Sequence, residues 1–142
     1  MSVYTDRARE LRNRTDIRVN CAQAMLATFA PEAGLTEEQA LALGAHFGGG
    51  MKMGSVCGTI TGALMVLGLC GVQETADAQT LTSALRESRE GRMDCRELLQ
   101  ENARRGGVKK PFCDGLVYQS VALVEQMLRE RGKIRIKKND PR

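Results

Sequence analysis

Residues 53–72 read MGSVCGTITGALMVLGLCGV, twenty positions without a charged side chain. That length approaches what a bilayer asks of a spanning helix, so its reading separates a membrane protein from a globular one. Five glycines (Gly54, Gly58, Gly62, Gly68, Gly71), a serine and two threonines dilute its apolarity, and neither end carries an aromatic belt. The segment is therefore read as a helix over 55–69 at the centre of a helical bundle, because a helix apolar all round has no face to give to water. Gly58 and Gly62 lie four apart on one face, where the missing side chains let a neighbouring backbone approach closely.

The flanking sequence supports an all-α fold. The chain of 142 residues has no Trp, three Phe and two Tyr, so aliphatic side chains, Ala and Met must fill the core. Helix-favouring residues are plentiful and β-branched runs are almost absent. Upstream, a helix is predicted over 5–13 with Ala8 and Leu11 inward, and a second over 16–29, capped by Thr15 or Asp16. Ile17, Cys21, Ala24, Met25 and Phe29 form the inward stripe of that second helix, and Pro31 and Gly34 end it.

Thr36-Glu37-Glu38-Gln39 is a capping box that opens a third helix carrying Leu41, Leu43, Ala45 and Phe47. Gly48-Gly49-Gly50 breaks it. Downstream, helices are predicted over 76–90 and 94–103, then a charged loop over 104–110 closed by Pro111, then a last helix over 114–131. Val117, Val121, Val124 and Leu128 make a clean apolar stripe on that last helix. The expectation is a compact single-domain bundle of about six to seven helices over 1–132 around the Gly-rich central helix, followed by a basic tail over 133–142.

The net charge of +4 comes from 21 Lys+Arg against 17 Asp+Glu. Residues 129–142 hold seven basic side chains and two acidic ones, so that stretch carries +5 and the rest of the chain −1. Basic residues are not interleaved with aromatics, so no nucleic-acid partner is expected. The opening residues MSVYTDR lack the basic-then-apolar pattern of a secretory signal, and five cysteines without such a signal suggest the reducing cytoplasm.

Those cysteines are Cys21, Cys57, Cys70, Cys95 and Cys113. None forms a C-x-x-C pair, so any site has to be assembled from separate helices. Cys70, inside the uncharged segment, reads as a small apolar filler. Cys57 differs because it follows a glycine-rich loop and opens a helix, where unpaired amides and the positive end of the dipole favour a thiolate. Amides of Gly48, Gly49, Gly50 and Gly58 are the candidate cradle for an oxyanion, a persulfide or a cluster sulfide.

Other chemistries lack their residues. His46 is the one histidine and reads as a helix-end polar residue, which excludes a His-rich metal site. The glycine run lacks the Gly-Lys-Ser/Thr ending of a P-loop and does not follow a strand, which excludes a dinucleotide fingerprint.

Taken together, Asn20-Cys21-Ala22-Gln23-Ala24, Gly48-Gly49-Gly50-Met51, Cys57-Gly58-Thr59-Ile60-Thr61-Gly62-Ala63-Leu64, Cys95 and Cys113 resemble the C_GCAxxG_C_C family, named for a suspected redox role. The resemblance runs from about Ala8 to Met127 and implies that Cys21, Cys57, Cys95 and Cys113 are the characteristic set, with Cys70 an extra. It departs at Thr59, where the family pattern has Ala.

The resemblance implies thiol-based redox work, with a redox partner or a transporter component as the partner. Three readings follow for the set Cys21, Cys57, Cys95 and Cys113. They exchange disulfides or transfer electrons, with Cys57 as the reactive thiolate; they hold an iron–sulfur cluster or zinc; or they fill the core of a non-catalytic accessory domain. The apolar, glycine-bearing central helix also makes a homo-oligomer an expectation.

Overall fold

The computed structural model describes residues 2–134, and all helices and contacts below belong to that span. The basic tail expected over 133–142 therefore falls, from residue 135 onward, outside the described residues. Eight α-helices follow one another: α1 (Val3–Arg12), α2 (Cys21–Thr28), α3 (Ala30–Ala33), α4 (Glu37–Gly44), α5 (Gly58–Leu69), α6 (Thr75–Ser88), α7 (Cys95–Arg104) and α8 (Lys109–Glu130). The fold class is all-α as expected, with the short α3 as the segment that the sequence reading did not separate. No helix among the described residues is long and apolar enough to cross a membrane.

Local chemistry fixes most helix starts. Ser2 caps α1 by accepting the Thr5 amide, and Thr36 with Gln39 closes the expected capping box on α4. The second helix is a correction. It starts at Cys21, not near residue 16, because Asn20 and Gln23 form a full capping box there. Asp16 is occupied instead by the Arg14 guanidinium, at 2.6 and 3.0 Å, and Ile17 is exposed, not inward. Cys21 is thereby moved from the middle of a helix to its first turn.

The last helix needs a matching correction. It begins at Lys109, five residues before the predicted start, and Pro111 lies in its first turn. A proline is tolerated there because the first amides of a helix have no partner within the helix. The early start turns Cys113 from a loop residue into the fifth residue of α8. On α4, the helix stops at Gly44, so Phe47 lies beyond it, and Leu43 is exposed.

The centre of the molecule is a pair of helices. α5 packs on α2, α8 and α6, while α2 packs on α5, α4, α1 and α8. Gly58 and Gly62 supply the close approach expected of them. A Cβ on Gly58 would stand 2.9 Å from the Phe47 carbonyl and 3.0 Å from the Ala22 amide, and one on Gly62 would stand 2.8 Å from the Met25 Cβ. The rest of the core is filled by Leu26, Leu67, Leu81, Leu85 and the α8 stripe Val117, Val121, Val124 and Leu128, with Tyr4 stacked on Phe29 at 5.0 Å. α5 is not buried all round, however. Leu69 is exposed, and Leu64, Met65 and Gly68 are half-buried along a shallow groove of about 710 Å³ that also takes in Leu43 and Val72.

Candidate functional site

Between α4 and α5 the chain turns against its natural hand. Gly49, Gly50, Met51 and Lys52 all have φ between 57° and 64°. This is the left-handed region, which costs a residue with a Cβ about 1–2 kcal/mol. The Ser55 amide donates to the Gly50 carbonyl at 2.9 Å, and Arg96 donates to the Met53 carbonyl at 3.1 Å, which holds the turn closed.

The turn delivers residues 55–57 alongside residues 93–95 as a short antiparallel bridge, Val56 opposite Asp94. The Cys57 amide donates to the Met93 carbonyl at 3.0 Å, and the Cys95 amide donates to the Ser55 carbonyl at 2.7 Å. The starts of α5 and α7 are thus tied side by side, with Cys57 just before α5 and Cys95 as the first residue of α7.

The start of α2 is pressed against the same place. The Cβ position of Gly58 is 3.3 Å from the Cys21 Cβ. Gly48 lies under the Asn20 side chain, whose amide donates to the Gly44 and Ala45 carbonyls at 3.1 and 3.4 Å. Gly50 and Gly58 therefore serve close backbone approach, Gly48 makes room for the Asn20 side chain, and Gly49 serves the left-handed turn; of the four, Gly58 lies against a cysteine, Cys21. His46 is exposed just past the end of α4.

Four helix starts converge in this way, and each brings one cysteine: Cys21 from α2, Cys57 from α5, Cys95 from α7 and Cys113 from the second turn of α8. Cys57 is buried, while the other three are partly exposed. Cys113 feels the charges of Cys57 and Cys95, and Cys95 feels those of Cys57 and Cys21. Cys70 closes the other end of α5, about 20 Å away along the helix axis.

Within the set, Cys21 and Cys113 form a distinct pair. Each thiol is the first influence on the other's acidity, and this drives the two apart: Cys113 is lowered below the ordinary thiol value, and Cys21, also penalised by burial, is raised well above it. The Arg12 guanidinium adds to the lowering at Cys113. Of the two, Cys113 is the sulfur that gives up its proton more readily. Cys95 is raised, first by burial and then by the neighbouring Cys57 and Cys21 sulfurs.

Sequence reasoning missed the cation. Arg12, the last residue of α1, donates to Asp114 at 2.8 Å and to the Val19 carbonyl at 2.8 Å. Although burial opposes its charge, Cys21, Asp114 and Cys113 together hold it more firmly protonated. Lys110 completes the arrangement by donating to Asp114 at 2.8 Å and to the Arg12 carbonyl at 3.3 Å. One signal was present in the sequence: Lys109 and Lys110 stand at the positive end of a helix dipole, where lysines are disfavoured unless something nearby is negative.

Among the described residues, no three His, Cys, Asp or Glu side chains gather into a group that could hold one metal ion. A structural zinc site needs four ligands in a tetrahedron, and among the described residues the four thiols do not form such a group.

A family model described as "Putative redox-active protein (C_GCAxxG_C_C)" matches residues 19–127, a span containing all five cysteines. No curated protein and no solved structure matches the chain.

Proposed function

The chain belongs to the C_GCAxxG_C_C family, and from that premise we propose that it carries out thiol–disulfide exchange, with Cys113 as the attacking sulfur and Cys21 as its resolving partner. The observation that carries this reading is the Cys21–Cys113 pair where the starts of α2 and α8 meet beside Arg12, in which one thiol is lowered and the other raised. Exchange needs a thiolate to attack and a second thiol within reach to finish, and the pair supplies both.

The steps balance as follows. The Cys113 thiolate attacks one sulfur of a partner disulfide, forming a mixed disulfide while the partner's S–S bond breaks. The departing partner sulfur leaves as a thiolate and takes the proton from Cys21. Cys21, now a thiolate, attacks the Cys113 sulfur, forms the Cys21–Cys113 disulfide and expels the second partner sulfur, which is protonated by water. Two electrons have passed to the partner, and a dithiol of lower potential returns them by the reverse sequence.

In this reading Cys57 and Cys95, tied together by the 55–57 and 93–95 bridge, form the second half of the set, to which a disulfide is passed on. The partly exposed Cys113 meets the partner, and the buried Cys57 does not.

The test is a trap. Reduced protein is treated with oxidised glutathione, and disulfides are mapped by mass spectrometry. The expected products are a Cys21–Cys113 disulfide in the parent chain and glutathione retained on Cys113 in Cys21→Ser. Cys113→Ser reacting at the parent rate, or Cys21→Ser trapping glutathione on another cysteine, would overturn the assignment.

A further inference from the structure

Arg89, just past the end of α6, is a guanidinium buried to 5 % exposure, and among the described residues no carboxylate lies within ion-pair distance of it. Its hydrogen bonds all go to neutral groups: Nε to the Gln119 amide oxygen at 3.3 Å, and Nη2 to the hydroxyls of Thr59 and Ser120, both at 3.0 Å. Its Nη1 is buried with no partner. A guanidinium does not shed its proton in a protein, and a buried cation without an anion is costly. The position calls for a negative charge.

Glu90 and Glu101 line the same pocket but pair with Arg92, Arg104 and Arg105, and a thiol stands one hydroxyl away from Arg89. Thr59 Oγ1, which accepts from Arg89, lies 3.2 Å from the Cys57 sulfur. Thr59 Oγ1 accepts from the Arg89 N–H, and its own O–H is available to donate to the Cys57 sulfur, which can only accept once it is a thiolate. Around Cys57 stand the thiols Cys95 from α7, Cys113 from α8 and, against the head of α5, Cys21 from α2, with Asp94 in the segment paired with Val56.

We propose that Arg89 and Thr59 are positioning residues for Cys57: the buried guanidinium orients the threonine hydroxyl as a donor to the Cys57 sulfur and balances the charge that sulfur carries when it attacks or leaves. The proposal rests on the reading of Cys57 as a member of the exchanging set. It gives the buried thiol a means of being anionic that owes nothing to the Cys21–Cys113 pair. It also gives a task to Thr59, the residue at which this chain parts from the family pattern.

Isotope-coded alkylation of the full reduced chain, quantified cysteine by cysteine across pH, tests it. Thr59→Val keeps the side-chain shape and removes the hydroxyl. The rate of Cys57 modification at fixed neutral pH is expected to fall about tenfold, with the Cys113 profile unmoved. Thr59→Ser restores the parent profile to within about twofold, and Arg89→Met shifts it in the same direction as the valine. Ser120→Ala removes a hydroxyl bound to Arg89 but not to Cys57, and leaves the profile in place. A Cys57 profile unchanged in Thr59→Val, read by alkylation and by ultraviolet thiolate absorbance, overturns the proposal even if Arg89→Met fails to fold. A Cys113 that takes no mixed disulfide, together with a shifted Cys57 profile, removes the exchange reading and leaves the relay standing.

Discussion

At its first turn α5 presses Gly58 against the Ala22 amide and the Phe47 carbonyl, while at its last turn Gly68 faces open space and Leu69 lies exposed on a shallow groove. Each end carries a cysteine, Cys57 before the helix and Cys70 after it. One glycine is required by its neighbours and the other is not. One cysteine stands among three thiols and a buried arginine relay, and the other closes a helix end beside apolar side chains. Residue type alone does not give a position its task, because the backbone that approaches it and the charges that surround it decide what it does.

The largest separation between the two ends is expected in chemistry. Cys113→Ser should lower the rate of mixed-disulfide formation with oxidised glutathione by about a hundredfold or more, while Cys70→Ser stays within about twofold of the parent. Equal losses in the two variants, measured in one stopped assay, would erase the distinction.

Next comes stability, where the same substitution should have opposite signs. Gly58→Ala drives a methyl into two fixed backbones and is expected to cost about 1–3 kcal/mol in urea denaturation. Gly68→Ala meets nothing within 4 Å and should stabilise by about 0.5–1 kcal/mol through a less flexible unfolded chain.

A smaller effect separates the cation from the sulfurs it serves. Cys113 is lowered first by the Cys21 S–H and then by Arg12, so Arg12→Met should leave the shift reduced. Below the ordinary thiol value the variant then holds less thiolate, and Cys113 alkylation near neutral pH should fall about tenfold. Above that value both proteins are deprotonated and the rates converge. A constant ratio at all pH values would mean that Arg12 acts on access to Cys113 and not on its charge. The smallest effect is expected at the far end of the helix: Leu69→Gln exchanges an exposed side chain and should move the unfolding free energy by no more than about 0.5 kcal/mol.

The features legible in the sequence were those whose causes lie within a few residues. The Thr36–Gln39 box, the Gly58–Gly62 face and the stripe Val117, Val121, Val124 and Leu128 are local patterns, and each has its expected counterpart in the structure. Two local signals compete ahead of α2: Asp16 offers a cap, but Arg14 occupies it, and the Asn20–Gln23 box starts the helix. Pro111 reads equally as the end of a loop or the first turn of a helix.

The site itself was half legible. Helix-start chemistry singled out Cys57, and the family resemblance supplied its companions. The convergence of four helix starts, the pairing of Cys21 with Cys113, and the charges of Arg12 and Arg89 depend on residues dozens of positions apart. The Arg12–Asp114 contact spans 102 positions and the Arg89–Thr59 contact 30, and no local periodicity encodes either.

Arg12 reaches the Cys21–Cys113 pair from α1, a helix that precedes the shared stretch beginning at residue 19. The cysteines and the cation that adjusts them therefore occupy separable parts of the chain. Changing the one residue at position 12, with the rest of α1 kept for the packing it supplies to α2 and α8, would retune the pair as a dial retunes a fixed circuit.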